Sequence, residues 1–167
     1  AAVKKSEPDG YTLLVQYSGY HVITPLVSKN PLPWELKDFQ PVANVISAPQ
    51  IVVIRADLPF KTMAELIAYA KASPGKLNYA SSGNGSIQHI AGELLKQITG
   101  ARMAHIPYKG GAPAVSDLVG GQIQMYFVNA AELTPNSRAG KVRLLAVSTN
   151  KRARELPEVP TVAETFP

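Results

Sequence analysis

One stretch, Leu77 to Gly100, constrains the fold more than any other part of the chain. Leu77-Asn78-Tyr79-Ala80 reads as a short strand and Ser81-Ser82-Gly83-Asn84-Gly85 as a tight polar turn. From Ser86 onward, Ile87, Ile90, Ala91, Leu94, Leu95 and Ile98 recur at the spacing of one helical face. Gly100 stands where a helix end favours a residue that tolerates left-handed geometry. A helix starting this way leaves the N–H groups of its first turn without intrahelical acceptors, and their dipoles converge on one spot. Such a turn binds an anion without any cationic side chain. Ser81, Ser82 and Ser86 add hydroxyl donors there, so a carboxylate- or phosphate-binding turn is expected.

The remainder alternates strand and helix around this stretch. After the Pro8-Asp9-Gly10 turn, Tyr11 to Tyr17 reads as a buried strand. Ser18-Gly19-Tyr20 is expected as its end turn, followed by a short helix through Val27. Trp34, in Pro31-Leu32-Pro33-Trp34, reads as a packing plug. Phe39 to Asp57 is strand-like, and Pro49 divides it into two strands or bends one. Thr62-Met63-Ala64-Glu65 forms a capping box that starts a helix with Met63, Leu66, Ile67 and Ala70 inward and Ser73-Pro74-Gly75 as its stop. Met103 to Pro107 is a strand, and Tyr108-Lys109-Gly110-Gly111 a second glycine turn. Pro113 then sits at a helix start; Ala114, Val115 and Leu118 face inward, and Gly120-Gly121 ends it. Ile123 to Phe127 and Arg143 to Ser148 are further strands, with Val128-Asn129-Ala130 a third strand end and a weaker helix within Glu132 to Ala139. This order predicts an α/β fold with a mainly parallel sheet flanked by helices. In such sheets ligands bind outside the carboxyl ends of the strands, where the glycine turns fall.

Composition narrows the chemistry. The 167 residues carry a net charge of +5, no cysteine and three histidines. Thiolate metal sites, disulfides and thiol catalysis are excluded, and His21, His89 and His105 lack metal-ligand spacing, so no metal and no cofactor are expected. The basic residues Arg138, Lys141, Arg143, Lys151, Arg152 and Arg154 read as a solvated rim rather than a nucleic-acid stripe. No apolar run is long enough to cross a bilayer, and no charged-then-apolar leader opens the sequence. Gly83-Asn84-Gly85 begins like a dinucleotide fingerprint, but Gln88 stands at its third glycine. No phosphate-loop motif occurs. Ser86 lacks the nucleophile-elbow pattern, and His89 on the same first turn is badly placed as its base. Glu93 and Asp117 read as helix-surface carboxylates without an acid/base partner. No enzyme site is therefore expected. His89 reads as a polar residue supporting the turn, with ligand contact as its second reading. Tyr108 begins a turn that can wrap a ligand, Lys109 reads as solvated, and Asn129 stands at a strand end facing the presumed cleft.

The segment Asn78 to Leu94, reading NYASSGNGSIQHIAGEL, closely resembles the signature of the Bug family, the TctC-like receptors of tripartite tricarboxylate transporters. The likeness continues through HIPYKGGAPA from His105 to Ala114, DLVGGQ from Asp117 to Gln122, RLLAVS from Arg143 to Ser148 and LPEVPTVAE from Leu156 to Glu164. PDGYTLL from Pro8 and DFQPV from Asp38 also fit. The resemblance implies a periplasmic-binding-protein-like, type II Venus-flytrap fold, with residues 44 to 149 as its whole second lobe. Residues 1 to 43 would be a fragment of the first lobe, and 150 to 167 a return toward it. It implies a periplasmic, non-enzymatic receptor that grips a small organic carboxylate and delivers it to membrane transporter subunits. Carried over by position, Ser81, Ser82, Gly83, Gly85 and Ser86 form the second-lobe grip, with Asn129 at a cleft-facing strand end. Ser18 and Gly19 match a first-lobe loop, although Tyr20 replaces a small residue there. Asn136-Ser137 replaces a more apolar pair, which weakens the helix before Gly140. Without the family's opening strand and closing elements, the chain is expected to be truncated and to self-associate through apolar surface.

Overall fold

The computed structural model describes residues 2–17, 19–133 and 139–167, in two compact units that divide between Ser47 and Ala48. In residues 48–167 a five-stranded sheet forms from β1 (Gln50–Arg55), β2 (Asn78–Ser81), β3 (Ala104–Pro107), β4 (Met125–Asn129) and β5 (Val142–Val147), in the order β3-β2-β4-β1-β5. β2 pairs parallel with both β3 and β4, whereas β1 runs antiparallel to β4 and β5. Four strands thus point one way and β1 the other. This is the mainly parallel sheet expected, with one reversed strand.

Alternation explains why the strand sequences are apolar throughout. Val52 and Ile54 of β1, with Met125 and Phe127 of β4, join the core on one face of the sheet. Ile51 and Val53, with Tyr126 and Val128, join the core on the other. A sheet covered on both sides needs both sets. The first face is covered by α2 (Met63–Ala72) and α3 (Ile87–Thr99), the second by α4 (Gly111–Gly120).

α2 follows the sequence closely. Thr62 Oγ1 accepts the Glu65 N–H at 3.2 Å, Glu65 Oε2 accepts the Thr62 N–H at 3.2 Å, and Met63, Leu66, Ile67 and Ala70 are buried. Each of the larger side chains contributes roughly 1.5–3 kcal/mol by leaving water. α4 buries Ala114, Val115 and Leu118 as the pattern requires, and Gly121 closes it. A short α5 (Val162–Thr165) is capped by Thr161, which bridges to Val147 at the sheet's edge.

α3 forms where expected, from Ser86 to Gly100, but its buried face is a different one. Gln88, Gly92, Leu95 and Thr99 face the sheet, while Leu94 is 54% and Ile98 56% exposed. The cause is Tyr79 of β2, whose fully buried ring lies where a Cβ on Gly92 would come within 2.1 Å of it. The helix turns its smallest residue toward that ring, which swings Ile90, Leu94 and Ile98 outward.

Residues 1–47 depart further. No strand forms at Tyr11 to Tyr17, and Tyr11 is 92% and Val15 82% exposed. A strand needs a partner to take its backbone hydrogen bonds, and none runs beside this segment among the described residues. Gly19 therefore opens a π-type turn, Gly19–Ile23, rather than ending a strand; it leads into α1 (Thr24–Val27). The strand expected from Phe39 begins only after Pro49, and Val42, Val45 and Ile46 are exposed. Trp34 does act as a plug: it is buried, stacks on Tyr20 with centroids 4.8 Å apart, and meets His21 and Phe39 edge-on. The weaker helix expected within Glu132 to Ala139 falls largely on residues 134–138, outside the described residues, although Ala130–Glu132 forms one 3-10 turn.

Candidate functional site

β2 and β4 lie side by side, parallel, with Ala80 opposite Tyr126. Their onward connections diverge: β2 leads through α3 to β3 on one flank, and β4 leads toward β5 on the other. Adjacent parallel strands whose connections part in this way leave a crevice at their carboxyl ends. The Ser82–Ser86 turn borders it after β2, and Asn129 borders it as the last residue of β4.

The turn is built from its own polar groups. Ser86 caps α3, its Oγ accepting the His89 N–H at 3.2 Å. Gly83 and Gly85 adopt φ of +135° and +76°, a backbone that side chains resist, so the chain reverses without strain. Ser81 is fully buried; its hydroxyl accepts the Gly83 N–H at 3.1 Å and donates to the Gly83 carbonyl at 3.0 Å. The Ser82 hydroxyl donates to Gln88 Oε1 at 3.0 Å. The Gly85 N–H goes to His89 Nδ1 at 3.1 Å, and the Ser86 N–H to the Gly83 carbonyl at 3.2 Å. Not all the turn's donors are open, then: the three serine hydroxyls and four of the amides are engaged locally. Among the described residues, the N–H groups of Asn84, Ile87 and Gln88 keep no protein acceptor.

Behind the turn stands a stack that no sequence spacing announces. His89 and His105 lie face to face with centroids 3.9 Å apart, and Tyr79 covers the far side of His105 at 5.0 Å. His105 Nε2 is 2.6 Å from Ser81 Oγ. Burial, and then the neighbouring His89, hold His105 below the ordinary imidazole range. The Tyr79 hydroxyl donates to Glu93 at 2.7 Å, and burial followed by that bond pushes it up. Glu93 is held by Tyr79 and Lys96. Burial works against its charge, but hydrogen bonds from Lys96 and Tyr79 outweigh it and hold the carboxyl low. The strand register aligns Tyr79 with His105, so only knowledge of the β2–β3 pairing could have joined them.

Asn129 is tied at both ends of its amide. Gln50 Nε2 donates to its Oδ1 at 2.5 Å, and its Nδ2 donates to Glu132 Oε1 at 2.6 Å. Glu132 also accepts from the Tyr126 hydroxyl at 2.8 Å and lies against the first residue of α4, where a Cβ on Gly111 would fall 1.9 Å from its Oε2. Gln50 is buried with its Oε1 unpartnered, at the start of β1 beside Asn129. Neither Gln50 nor Glu132 carries a sequence motif.

Tyr108 donates through its hydroxyl to Asp117 at 2.7 Å, so Asp117 too has a partner; burial and this bond push the phenol up to about 12. The Gly110 N–H reaches the Ser82 carbonyl at 3.3 Å and joins the second glycine turn to the first. The structure thus gathers Ser81, Ser82, Gly83, Gly85, Ser86, His89, Tyr108 and Asn129 along one edge of the sheet. Gly19 is a buried residue of the separate 1–47 unit, and Ser18 lies outside the described residues.

An α/β lobe of this topology, with glycine turns at the carboxyl edge, is that of the periplasmic solute-binding proteins, and comparison agrees. The model of the tripartite tricarboxylate transporter family receptor (TctC) matches residues 1–166, and the chain belongs to that family. Among curated relatives, protein BugT of Bordetella pertussis is 37% identical over 164 residues, covering 98% of this chain and 50% of that protein. A solved periplasmic transporter superposes with a TM-score of 0.90 at 38% identity, covering 99% of this chain and 56% of that one. MatC of Rhodopseudomonas palustris with bound malate gives 0.84 at 30% identity, over 98% of this chain and 55% of that one. The R. palustris protein Rpa4515 with adipate gives 0.67 at 38% identity, over 70% and 39%. The chain spans about half the length of the curated relatives it matches.

Proposed function

We propose that this chain belongs to an extracytoplasmic receptor that captures a small organic carboxylate for a tripartite tricarboxylate transporter, with residues 44–149 as its second lobe and residues 1–43 and 150–167 belonging to the first. The observation that carries the reading is the set of open N–H groups at Asn84, Ile87 and Gln88, beside the β2–β4 crevice. Three convergent donors at the positive end of α3 suit a carboxylate and need no cation. Ser82, Gly83, Gly85 and Ser86 shape that socket, Ser81 braces it from beneath, Asn129 faces the same crevice, and Tyr108 is assigned to the neighbouring glycine turn. Ser18 and Gly19 are assigned to ligand binding by family position. Family membership and relatives holding malate or adipate support the ligand class. Similarity to a solved periplasmic transporter and to the periplasmic binding protein BugD supports a receptor located in the periplasm rather than an enzyme.

Thermal-shift screening tests this reading with mono-, di- and tricarboxylates, amino acids and nicotinate. At 100-fold excess over Kd a true ligand stabilises the chain by about 2.7 kcal/mol. Ser86→Leu removes the cap and crowds the socket, so it abolishes the shift; an unchanged response takes the turn out of the site. The exposed Tyr11, Val15, Leu26, Val42 and Val45 support self-association of this chain, which a clean monomer by light scattering overturns.

A further inference from the structure

Two histidines distant in sequence meet behind the Ser82–Ser86 turn, and each grips one of its glycine amides. His89 does so directly, Nδ1 accepting the Gly85 N–H at 3.1 Å; His105 does so through Ser81, whose Oγ accepts both the Gly83 N–H at 3.1 Å and, its own hydrogen being given to the Gly83 carbonyl, the His105 Nε2–H at 2.6 Å. An imidazole nitrogen accepts only while it carries no proton. Adding a proton at His89 Nδ1 therefore releases the Gly85 N–H and sets a second donor beside it. With no anion present, two donors then face each other at the positive end of α3, an unfavourable arrangement. A carboxylate in the turn reverses the sign, since it accepts from both donors and neutralises the added charge.

The stack limits the uptake to one proton. Rings 3.9 Å apart and 10° from parallel repel strongly if both carry charge, so the stack admits a single proton. The other groups facing the pair are few. Glu93 and Lys96 of α3 form an ion pair at 2.8 Å and largely cancel. Tyr79 of β2 covers His105 with its phenol donating to Glu93, and Ser81 supplies a hydroxyl. Burial, together with His89, holds His105 below the ordinary imidazole range.

We propose that capture of a carboxylate at the Ser82–Ser86 turn draws one proton from solvent onto the His89–His105 pair, so that the site binds anion and proton together. This rests on the carboxylate reading above and goes beyond it. Affinity rises as pH falls through the neutral range, by at most about tenfold per pH unit for a single linked proton.

The test is isothermal titration calorimetry of the protein with malate and with adipate, from about pH 6.5 to 8, where histidine is the side chain that titrates. Runs in Tris and in Bis-Tris, whose ionisation enthalpies differ, report the protons taken up. The expected result is uptake of between zero and one proton per ligand, rising toward the steepest part of the affinity profile. His89→Asn keeps an oxygen acceptor for Gly85 that cannot take the proton, and its profile is expected to be flat whatever its affinity. Histidine ring resonances of the unmodified protein, with and without malate, read the same event if that variant does not fold. Binding with no proton uptake and unmoved resonances overturns the coupling alone. Absence of binding by either acid at every pH removes the carboxylate reading, and the coupling with it.

Discussion

Two glycine turns close the neighbouring parallel strands β2 and β3 at one sheet edge, and they treat an incoming negative charge oppositely. At Ser82–Ser86 the serines and His89 hold the backbone in shape and leave three amides open. At Tyr108–Gly111 the chain supplies its own carboxylate: Glu132, held by Tyr126 and Asn129, lies against the first residue of α4. One helix start is left for a ligand and the other is occupied from within. The difference does not come from the turns themselves, both glycine-rich, but from what the next elements place beside them. α3 returns an imidazole to its own turn, and the segment after β4 delivers a carboxylate to the other.

The largest test of this contrast substitutes alanine at the two glycines that make the close approaches. In Gly92→Ala the new Cβ falls 2.1 Å from the Tyr79 ring, which is buried between α3 and His105 and cannot withdraw. Overpacking of a rigid ring destabilises by about 3 kcal/mol in urea denaturation, beyond the roughly 1 kcal/mol that alanine gains in a helix. Gly111→Ala meets the Glu132 carboxylate, 1.9 Å from Oε2 and 2.6 Å from Cδ; that side chain can move aside, at the cost of its bonds to Tyr126 and Asn129, about 2 kcal/mol. Equal losses at both positions would mean that Glu132 is held as firmly as a buried ring.

Glu132→Ala comes next. It leaves the buried Tyr126 hydroxyl and one end of the Asn129 amide without partners, a loss of about 2 kcal/mol. It also opens the second turn, so sulfate should raise the melting temperature of this variant more than that of the parent. An identical sulfate response would show that Glu132 does not occupy the α4 start. Smaller again is Ser86→Ala, which removes only the α3 cap and costs about 1 kcal/mol by denaturant midpoint, while weakening carboxylate binding.

How far these features were legible depends on whether their cause is local. The Thr62–Glu65 capping box and the inward faces of α2 and α4 depend on residues within a turn of one another, and each stands as the sequence implied. The Ser82–Ser86 turn was readable for the same reason, although the engagement of its hydroxyls was not. Long-range features were hidden. The face that α3 buries is turned by Tyr79, a residue of another element; of the periodic apolar set Ala91 and Leu95 pack inward, while Ile90, Leu94 and Ile98 are exposed. Tyr11 to Tyr17 has the composition of a strand, yet composition supplies no hydrogen-bonding neighbour, and the segment stays irregular and exposed. His105 and Glu132 were missed because each reaches the site through strand register or a loop, with no spacing to mark it.

The smallest expected effect is a pH dependence that separates the two turns. His105 is held below its ordinary range by burial and by His89, so the neutral ring is the form that the folded state favours. Its contribution is whole above the unfolded value near 6.5 and is lost as pH falls through the lower folded value. Ligand-free stability should therefore begin to decline below about pH 6.5, well before most carboxylates titrate. His105→Gln, which cannot take a proton, should flatten that first decline and leave the steeper losses at lower pH. Those losses include Glu164, whose carboxyl is held down to about 2 by the Arg152 guanidinium and the Thr161 N–H. Because His105 reaches only the first turn, through Ser81, amide exchange should quicken at Gly83 on mild acidification while Gly110 and Gly111 stay unchanged. Uniform quickening at both turns would show that acid loosens the whole sheet edge, and the contrast between the turns would then have no electrostatic basis.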